Sequence, residues 1–292
     1  HADVTVGVIV GATGPGASLG IPYKNAFSVL PPTVGGEKVR YIILDDATDP
    51  STAVKNARKL ITEDKVDVIL GSSSVPASTA IVGVATELKT PLIALSPIAT
   101  PPSGQEWAFP VPQPVPVMME VVVEHMKAHN VKTVAFIGFN DSWGDLVFKG
   151  FSSQAEPAGI SVVTNERYAR PDTSVAGQVL KVMAAKSDAV VAGGSGTPGA
   201  LPHITLVERG YKGPVYHNHG VINRDFLRVG GKSVERAMAP TGPVMVAEQL
   251  PQLSAEQIIG EPFGRNSGPA IGLACIHLAA RDPNAVVAIL PA

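Results

Sequence analysis

At Val66-Asp67-Val68-Ile69-Leu70 the sequence predicts a buried strand, which leads directly into Gly71-Ser72-Ser73-Ser74-Val75-Pro76-Ala77-Ser78. A strand that ends in small hydroxyl residues and continues into a helix directs backbone N–H groups and Oγ donors at one point. The same order recurs where Pro91-Leu92-Ile93-Ala94-Leu95 precedes Ser96-Pro97-Ile98-Ala99-Thr100. These two loops predict a site for a small carboxylate. Because no histidine is placed to activate their hydroxyls, we expect binding without catalysis.

The composition limits the class of protein. The 292 residues carry a formal net charge of -2, which gives no electrostatic basis for binding nucleic acid or a membrane surface. The apolar runs are far shorter than the roughly 20 residues that span a bilayer, so we expect a soluble protein. Cys275 is the single cysteine, which excludes an internal disulfide and a cysteine-cluster metal site. The start at His1-Ala2-Asp3 is interpreted as a mature end left after removal of a signal peptide.

Strand-like and helix-like runs alternate along the first part of the chain. The predicted strands are Val4 to Val10, Val39 to Leu44, Val66 to Leu70 and Leu92 to Leu95, and the predicted helices are Pro22 to Leu30, Pro50 to Asp64 and Pro76 to Leu88. In the second helix Asp49 suits the N-cap and Pro50 suits the first helical position. The alternation predicts an α/β fold with a doubly wound parallel sheet.

A second unit with the same alternation is predicted to begin near Met118. Its strands are predicted at 133–138, 161–165, 189–193 and 215–217, and its helices at 118–130, 143–158, 174–185 and 198–210. Between the units lies Pro110-Val111-Pro112-Gln113-Pro114-Val115-Pro116, whose prolines disfavour a helix or a central strand. We expect lobe 1 at residues 1–115, a crossover between the lobes, and lobe 2 at residues 116–245.

An ordered set of motifs carries a resemblance to a known family. The set comprises the Gly11-Ala12-Thr13-Gly14-Pro15 turn, Asp45 to Pro50, Gly71 to Ser78, Ser96 to Thr100, Trp143-Gly144, Gly193 to Pro198 and His219-Gly220-Val221. Over about residues 3 to 250 the chain resembles type I periplasmic solute-binding proteins, and within them the Leu/Ile/Val-binding group that serves ABC importers. The resemblance implies two doubly wound lobes that are joined by a hinge and close on a ligand.

The resemblance also implies a set of ligand-binding residues. In lobe 1 and the crossover they are Ser72, Ser73, Ser74, Ala99, Thr100 and Gln113, and in lobe 2 they are Trp143, Ser195, Thr197 and His219. The serine loop, with Ala99 and Thr100, would hold the ligand carboxylate, and Ser78 would cap the following helix. Trp143 would form an aromatic wall of lobe 2. No metal and no cofactor are implied.

His219 departs from the family's pattern, because amino acid binders commonly carry an acid there for the substrate ammonium. An ammonium group closed into a dry cleft needs an anionic partner, whereas an imidazole suits a hydroxyl or a second acidic group. We therefore expect a carboxylate without an α-amino group, for instance an aromatic acid, with a branched-chain amino acid as the alternative. The resemblance implies a periplasmic monomer whose partner is an inner-membrane ABC permease.

Each of these residues also has a purely structural interpretation. The serines of Ser72 to Ser74 could serve only in a turn and an N-cap, Trp143 could be core, and His219 could be a solvated loop residue. Asp45, Asp46 and Asp49 resemble an acidic metal cluster, but helix capping and solvation at the strand end account for them better. The glycines of Gly11 to Gly20 lack the Gly-Lys-Ser/Thr of a nucleotide-binding P-loop.

The tail departs from the family. Residues 254–292, with Glu261 to Ile271 and Ala285 to Ala292, resemble a segment of mannose-1-phosphate guanylyltransferases, although the nucleotide loop and the metal-binding acid of that family are missing. We expect residues 246–292 to pack on a lobe through the helix face of Ile271, Ala274, Cys275 and Leu278 and the strand Val286 to Leu290. Two alternatives stay open: a sugar-1-phosphate nucleotidyltransferase fragment, supported only by the tail, and a sensor domain with the same clamshell.

Overall fold

The first lobe alternates strands and helices around one sheet. In the computed structural model, which describes residues 4–99 and 107–240 and the backbone of 258–259, its elements are β1 (Val4–Val10), α1 (Ala17–Ser28), β2 (Thr33–Val34), β3 (Glu37–Asp45), α2 (Pro50–Thr62), β4 (Val68–Gly71), α3 (Val75–Glu87), β5 (Leu92–Ala94) and β6 (Ala108–Pro110). The sheet order is β2-β3-β1-β4-β5-β6. All of its strand pairs are parallel except β2 with β3.

The second lobe repeats this architecture. Its elements are α4 (Val115–Ala128), β7 (Thr133–Phe139), α5 (Ser142–Ala155), β8 (Ser161–Tyr168), α6 (Ala176–Ala184), β9 (Ala189–Gly193), α7 (Leu201–Glu208), β10 (Val215–His217), α8 (Arg224–Gly230), β11 (Ala237–Pro240) and β12 (Ile258–Ile259). The sheet order is β12-β11-β10-β9-β7-β8, and every pair is parallel. Apart from Ile258 and Ile259, the predicted tail lies outside the described residues, so its packing stays a prediction.

The pattern of burial explains why the strands read as continuous apolar runs. In β1, Val6, Val8 and Val10 belong to one core cluster, whereas Ile9 belongs to another that includes residues of α2 and α3. Successive strand residues point to opposite faces, so a parallel strand covered on both faces is apolar throughout. A larger core around Phe136 fills the second lobe. None of the described helices is both long and apolar enough to cross a membrane.

The start of α1 differs from the prediction. The helix was predicted to begin at Pro22, but it begins at Ala17 and contains Pro22. The first turns of this helix pack tightly on the loop after β1, since a Cβ at Gly20 would lie 2.0 Å from the carbonyl oxygen of Gly11. Glycine therefore lets this helix approach the loop after β1, and local patterning around the proline could not show that.

The crossover between the lobes also differs from the prediction. The proline-rich segment was expected to exclude a helix up to residue 116, but α4 begins at Val115, with Pro114 at the N-cap and Pro116 in the first turn. Proline is tolerated there because the first N–H groups of a helix have no intrahelical acceptor. Val115 is buried in the core of the second lobe, so α4 belongs to that lobe.

Contacts between the two lobes include a hydrogen bond and a buried side chain. The backbone N–H of Thr197, in lobe 2, donates to the Oγ of Ser18, in α1, at 3.1 Å. Val75, in the first turn of α3, packs in the core cluster of the second lobe. The loops that follow the strands of both sheets therefore face each other.

Candidate functional site

The three serines of the loop after β4, Ser72 to Ser74, differ in the hydrogen bonds that their hydroxyls make. Ser72 is fully buried, and its Oγ donates to Asp46 Oδ2 at 2.5 Å. The Oγ of Ser73 accepts from the backbone N–H of Gly11 at 3.0 Å. These two hydroxyls connect the loop to the rest of lobe 1. Among the described residues Ser74 Oγ is enclosed and has no hydrogen-bond partner, in contrast to the other two hydroxyls.

Asp46 corrects one sequence interpretation. The three aspartates were interpreted together as helix capping and solvation at a strand end, but Asp46 is fully buried, and its Oδ1 accepts from the N–H of Thr48 at 2.8 Å. Burial raises the pKa of this carboxyl above its ordinary value. Asp49 is confirmed as the N-cap of α2, since it accepts from the N–H of Thr52. The cluster of aspartates thus serves the backbone and the serine loop.

Ser78 does not cap the helix as predicted. The N-cap residue of α3 is Ser74, and Ser78 lies in the first turn. Its Oγ accepts from the N–H of Ser72 at 2.7 Å and donates to the Ser72 carbonyl at 2.9 Å. Ser96, from the second predicted loop, donates its Oγ to the same hydroxyl at 2.7 Å. Ser78 therefore connects the loop after β4 to the loop after β5, and this network keeps their relative position.

The remaining lobe 1 candidates are placed less centrally. Ala99 is exposed at the end of its loop, and Thr100 lies outside the described residues. Gln113 is partly buried between β6 and α4, at the crossover. The contact of these three residues with a ligand stays a prediction.

Trp143 lies in the first turn of α5, where its position is set by the helix cap. The carboxylate of Asp141 accepts from the N–H groups of Trp143 at 2.9 Å and Gly144 at 3.2 Å. The indole Nε1–H donates to the Gly194 carbonyl at 3.3 Å, and the side chain is 3% exposed. A Cβ at Gly144 would lie 1.9 Å from the Phe139 carbonyl oxygen, so glycine is needed for this close approach.

His219 contacts Trp143 across the same lobe. The two ring centroids lie 5.7 Å apart with the planes perpendicular. The short helical turn that starts at His219 is capped by Asn218, whose Oδ1 accepts from the N–H of Gly220 at 2.8 Å. Among the residues that the structure describes, the Nδ1 of His219 is enclosed and has no hydrogen-bond partner. Burial lowers the pKa of the ring to about 4, so the imidazole is neutral at physiological pH.

Ser195 and Thr197 lie on the loop after β9. A Cβ at Gly220 would lie 2.9 Å from Ser195 Cβ and 3.3 Å from Trp143 Cζ2, so these two candidates lie together beside His219. Thr197 uses its backbone N–H to contact lobe 1 through Ser18. The structure therefore brings three of the four lobe 2 candidates to one place and assigns the fourth to the contact between the lobes.

Arg170 belongs to this region but was missed from the sequence. It follows β8, and its Nε donates to Asp141 Oδ2 at 2.5 Å while its Nη1 lies 3.4 Å from Ser195 Oγ. The guanidinium also lies over the Phe139 ring, 4.3 Å from its centroid. Arg170 therefore joins the Trp143 loop to the Ser195 loop. The sequence signal that could have identified Arg170 is its position directly after a predicted strand, at the carboxyl edge of the sheet.

Comparisons with known proteins agree with this architecture. The model of the periplasmic binding protein family matches residues 3–252. The chain is 26% identical over 290 residues to the Leu/Ile/Val-binding protein homolog 3 of Brucella melitensis, and the match covers 93% of this chain and 77% of that protein. Relatives with solved structures extend the comparison to the fold.

Two solved structures from Rhodopseudomonas palustris are similar. An extracellular ligand-binding receptor of strain HaA2 is 43% identical, with a TM-score of 0.81 over 98% of this chain and 77% of that one. A solute binding protein of an ABC transporter from strain BisB5, in complex with 3,4-dihydroxybenzoic acid, is 24% identical, with a TM-score of 0.71 over 80% of this chain and 66% of that one. The second likeness concerns the fold alone. Together with the matched family model, these findings show that the chain belongs to the periplasmic binding protein family, in its Leu/Ile/Val-binding branch.

Proposed function

We propose that this protein binds a small carboxylate without an α-amino group between its two lobes, as the periplasmic substrate-binding component of an ABC importer. It acts as a monomer and catalyses no reaction. The observation that carries the proposal is the neutral imidazole of His219, which presents an enclosed and unpartnered Nδ1 beside Trp143. A cleft that ends in such a group offers no anion to an ammonium.

The lobe 1 end of the ligand is assigned to the serine loop. Among the described residues Ser74 Oγ is enclosed without a partner at the start of α3, and the first N–H groups of a helix have no intrahelical acceptor. Donors of this kind favour an anion, because both the hydrogen bonds and the helix dipole are favourable. The carboxylate of the ligand therefore belongs here.

The lobe 2 end of the ligand is assigned to Trp143 and His219. Two acids hydrogen-bond directly to the site loops, Asp46 and Asp141. Asp46 is occupied by Ser72, and Asp141 by Arg170 and by its helix cap. A buried ammonium without a free anionic partner would cost far more than a buried apolar or hydroxyl group. An aromatic or aliphatic acid fits this end better than leucine. A protein of the same fold, the solute binding protein of strain BisB5, was solved in complex with an aromatic acid.

Replacing Ser74 with alanine should weaken carboxylate binding by roughly 10- to 100-fold, the usual effect of losing one hydrogen bond to a charged group. The measurement is isothermal titration calorimetry with 3-phenylpropanoate. The matched control is Thr86→Val, since Thr86 Oγ1 is also enclosed without a partner on α3 but lies near the opposite end of the helix. Equal affinity in the Ser74→Ala variant and the wild type would remove Ser74 from the site.

Selectivity tests the role of His219. Matched ligand pairs that differ only by the α-amino group are 4-methylpentanoate with leucine and 3-phenylpropanoate with phenylalanine. The wild-type protein should bind the acid of each pair at least as tightly as the amino acid. His219→Glu should shift the preference toward the amino acid by roughly 10- to 100-fold, because it supplies the missing anion, whereas the neutral His219→Gln should not. Wild-type protein that binds leucine far more tightly than 4-methylpentanoate would refute the proposed ligand class.

A further inference from the structure

A hydrogen bond between the lobes uses neither of the atoms assigned to the ligand. Ser18, in the first turn of α1, accepts through its Oγ from the backbone N–H of Thr197 at 3.1 Å. Ser18 is 8% exposed, so this interlobe bond is largely shielded from water. The ligand is instead assigned to Ser74 Oγ and His219 Nδ1. The interlobe bond can therefore act on the position of the lobes without contacting the ligand.

The interlobe bond replaces a helix cap that lobe 2 does not supply. Thr197 begins a short helical turn, Thr197–Ala200, whose N-cap residue is Gly196 and makes no side-chain cap hydrogen bond. The first N–H groups of a helix have no intrahelical acceptor, and a polar N-cap side chain commonly provides one. Here the acceptor for Thr197 is Ser18, from the other lobe. Separation of the lobes therefore removes this cap.

Gly196 lets the lobes approach each other closely at this point. A Cβ at Gly196 would lie 2.7 Å from Ser18 Oγ and 3.6 Å from Leu19 Cγ, so a side chain there would meet lobe 1. Gly196 also has a φ of +58°, in the left-handed region that favours glycine. The contact thus needs a hydroxyl in lobe 1 and the absence of a side chain in lobe 2.

Hydrogen bonds within each lobe connect the interlobe bond to the two ends of the cleft. In lobe 1, α1 packs on the loop after β1, where the N–H of Gly11 donates to Ser73 Oγ at 3.0 Å. In lobe 2, the N–H of Gly196 donates at 2.8 Å to the carbonyl of Gly220, the residue after His219. The interlobe bond therefore joins the backbone that supports the serine loop to the backbone that supports the His219 turn.

We propose that Ser18 is a positioning residue of the cleft: through the interlobe bond it stabilises the closed arrangement of the lobes and strengthens the binding of every ligand by the same factor. The inference rests on the proposed function, since it concerns the affinity of the same cleft. A ligand held between two lobes binds fully only to the closed arrangement, so its apparent affinity falls with the closed fraction. The interlobe bond changes that fraction and contacts no ligand atom, so its effect is independent of ligand chemistry.

Replacing Ser18 with alanine should weaken binding by about 3- to 10-fold, the usual effect of losing one hydrogen bond between neutral groups. Calorimetry uses 3-phenylpropanoate, 4-methylpentanoate, phenylalanine and leucine as probes. Each probe that binds should lose the same factor to within about 2-fold, the usual limit of additivity. The matched control is Ser28→Ala, because Ser28 is exposed at the other end of α1 and donates to the Asn25 carbonyl of its own helix. This control should bind all probes like the wild type.

A second variant tests the contact from lobe 2. Gly196→Ala places a Cβ against Ser18 and should weaken binding at least as much as Ser18→Ala, again by one factor for all probes. Because Gly196→Ala already breaks the interlobe bond, adding Ser18→Ala to it should have no further effect. Losses that multiply in the double variant would mean that the two residues act separately, which contradicts the proposal. Circular dichroism verifies that each variant is folded.

Hydrogen exchange measures the interlobe bond without any ligand. The Thr197 amide, followed by NMR, should exchange more slowly in the wild type than in Ser18→Ala, because Ser18 holds its proton. Equal exchange would overturn the proposal, and so would an unchanged affinity in Ser18→Ala. A loss confined to one class of probe would instead make Ser18 a direct ligand contact. If none of the four probes binds, the proposed ligand class fails, while the exchange of the Thr197 amide still tests Ser18.

Discussion

Lowering the pH from about 7.5 to about 5 should reduce the free energy of unfolding by about 4 kcal/mol, because His203 and His219 are held neutral in the folded state. Burial lowers the pKa of each to about 4. In the unfolded chain the pKa of histidine is about 6.5. Between these values the unfolded state binds protons that the folded state does not, so stability is complete above about pH 6.5 and falls as the pH decreases.

Each of the two histidines should contribute about 2 kcal/mol at pH 5, from the linkage of a group with these two pKa values. His217 adds to the effect in the same direction, since burial lowers its pKa well below the ordinary value. Its ring already hydrogen-bonds to His203, so the two rings cannot both be charged without repulsion.

Urea unfolding followed by circular dichroism at both pH values measures the loss. The His219→Gln variant removes one of the groups and should lose about 2 kcal/mol less than the wild type. His129→Gln, at the exposed C-cap of α4, is the control and should behave like the wild type. A stability that is equal at the two pH values would mean that the buried rings are already solvated in the native protein.

Replacing Trp143 with alanine should have the second large effect. It should lower the free energy of unfolding by about 3–5 kcal/mol, as for other large-to-small substitutions of buried aromatic residues, and it should abolish carboxylate binding. The indole is 3% exposed, packs in the core of the second lobe and lies perpendicular to the His219 ring. Trp143→Phe should retain much of the stability, because a ring still fills the space.

Phe151→Ala separates stability from binding. Phe151 is fully buried in the same core and on the same helix, but it lies two turns further along α5. Its loss should cost a similar free energy of unfolding while leaving the carboxylate affinity of the folded protein unchanged. The carboxylate affinities of Trp143→Ala and Phe151→Ala are measured by calorimetry at a temperature where both variants are folded. Equal loss of affinity in both variants would show that Trp143 acts only through packing.

The order of elements could be predicted from the sequence because it depends on local periodicity. The apolar runs that became β1, β4 and β9 are continuous, as expected of parallel strands covered on both faces. The N-cap at Asp49 also follows from local chemistry, since its carboxylate bonds to an N–H three residues away. The starts of α1 and α4 were wrong because a close approach and a buried first turn, both tertiary, determine them.

The sequence by itself determined the family, the two sheets and the loops at which a ligand is expected, since these depend on the order of residues along the chain. Only the tertiary structure decided which hydroxyl of the serine loop is free. Ser72 is bound to Asp46 and Ser73 to Gly11, each across a gap of more than twenty residues, and the Oγ of Ser74 has no partner in the described part of the chain. The tertiary structure also placed Arg170 between two site loops. Hydrogen bonds between distant segments depend on which strands are neighbours in the sheet, and that arrangement forms only when the chain folds.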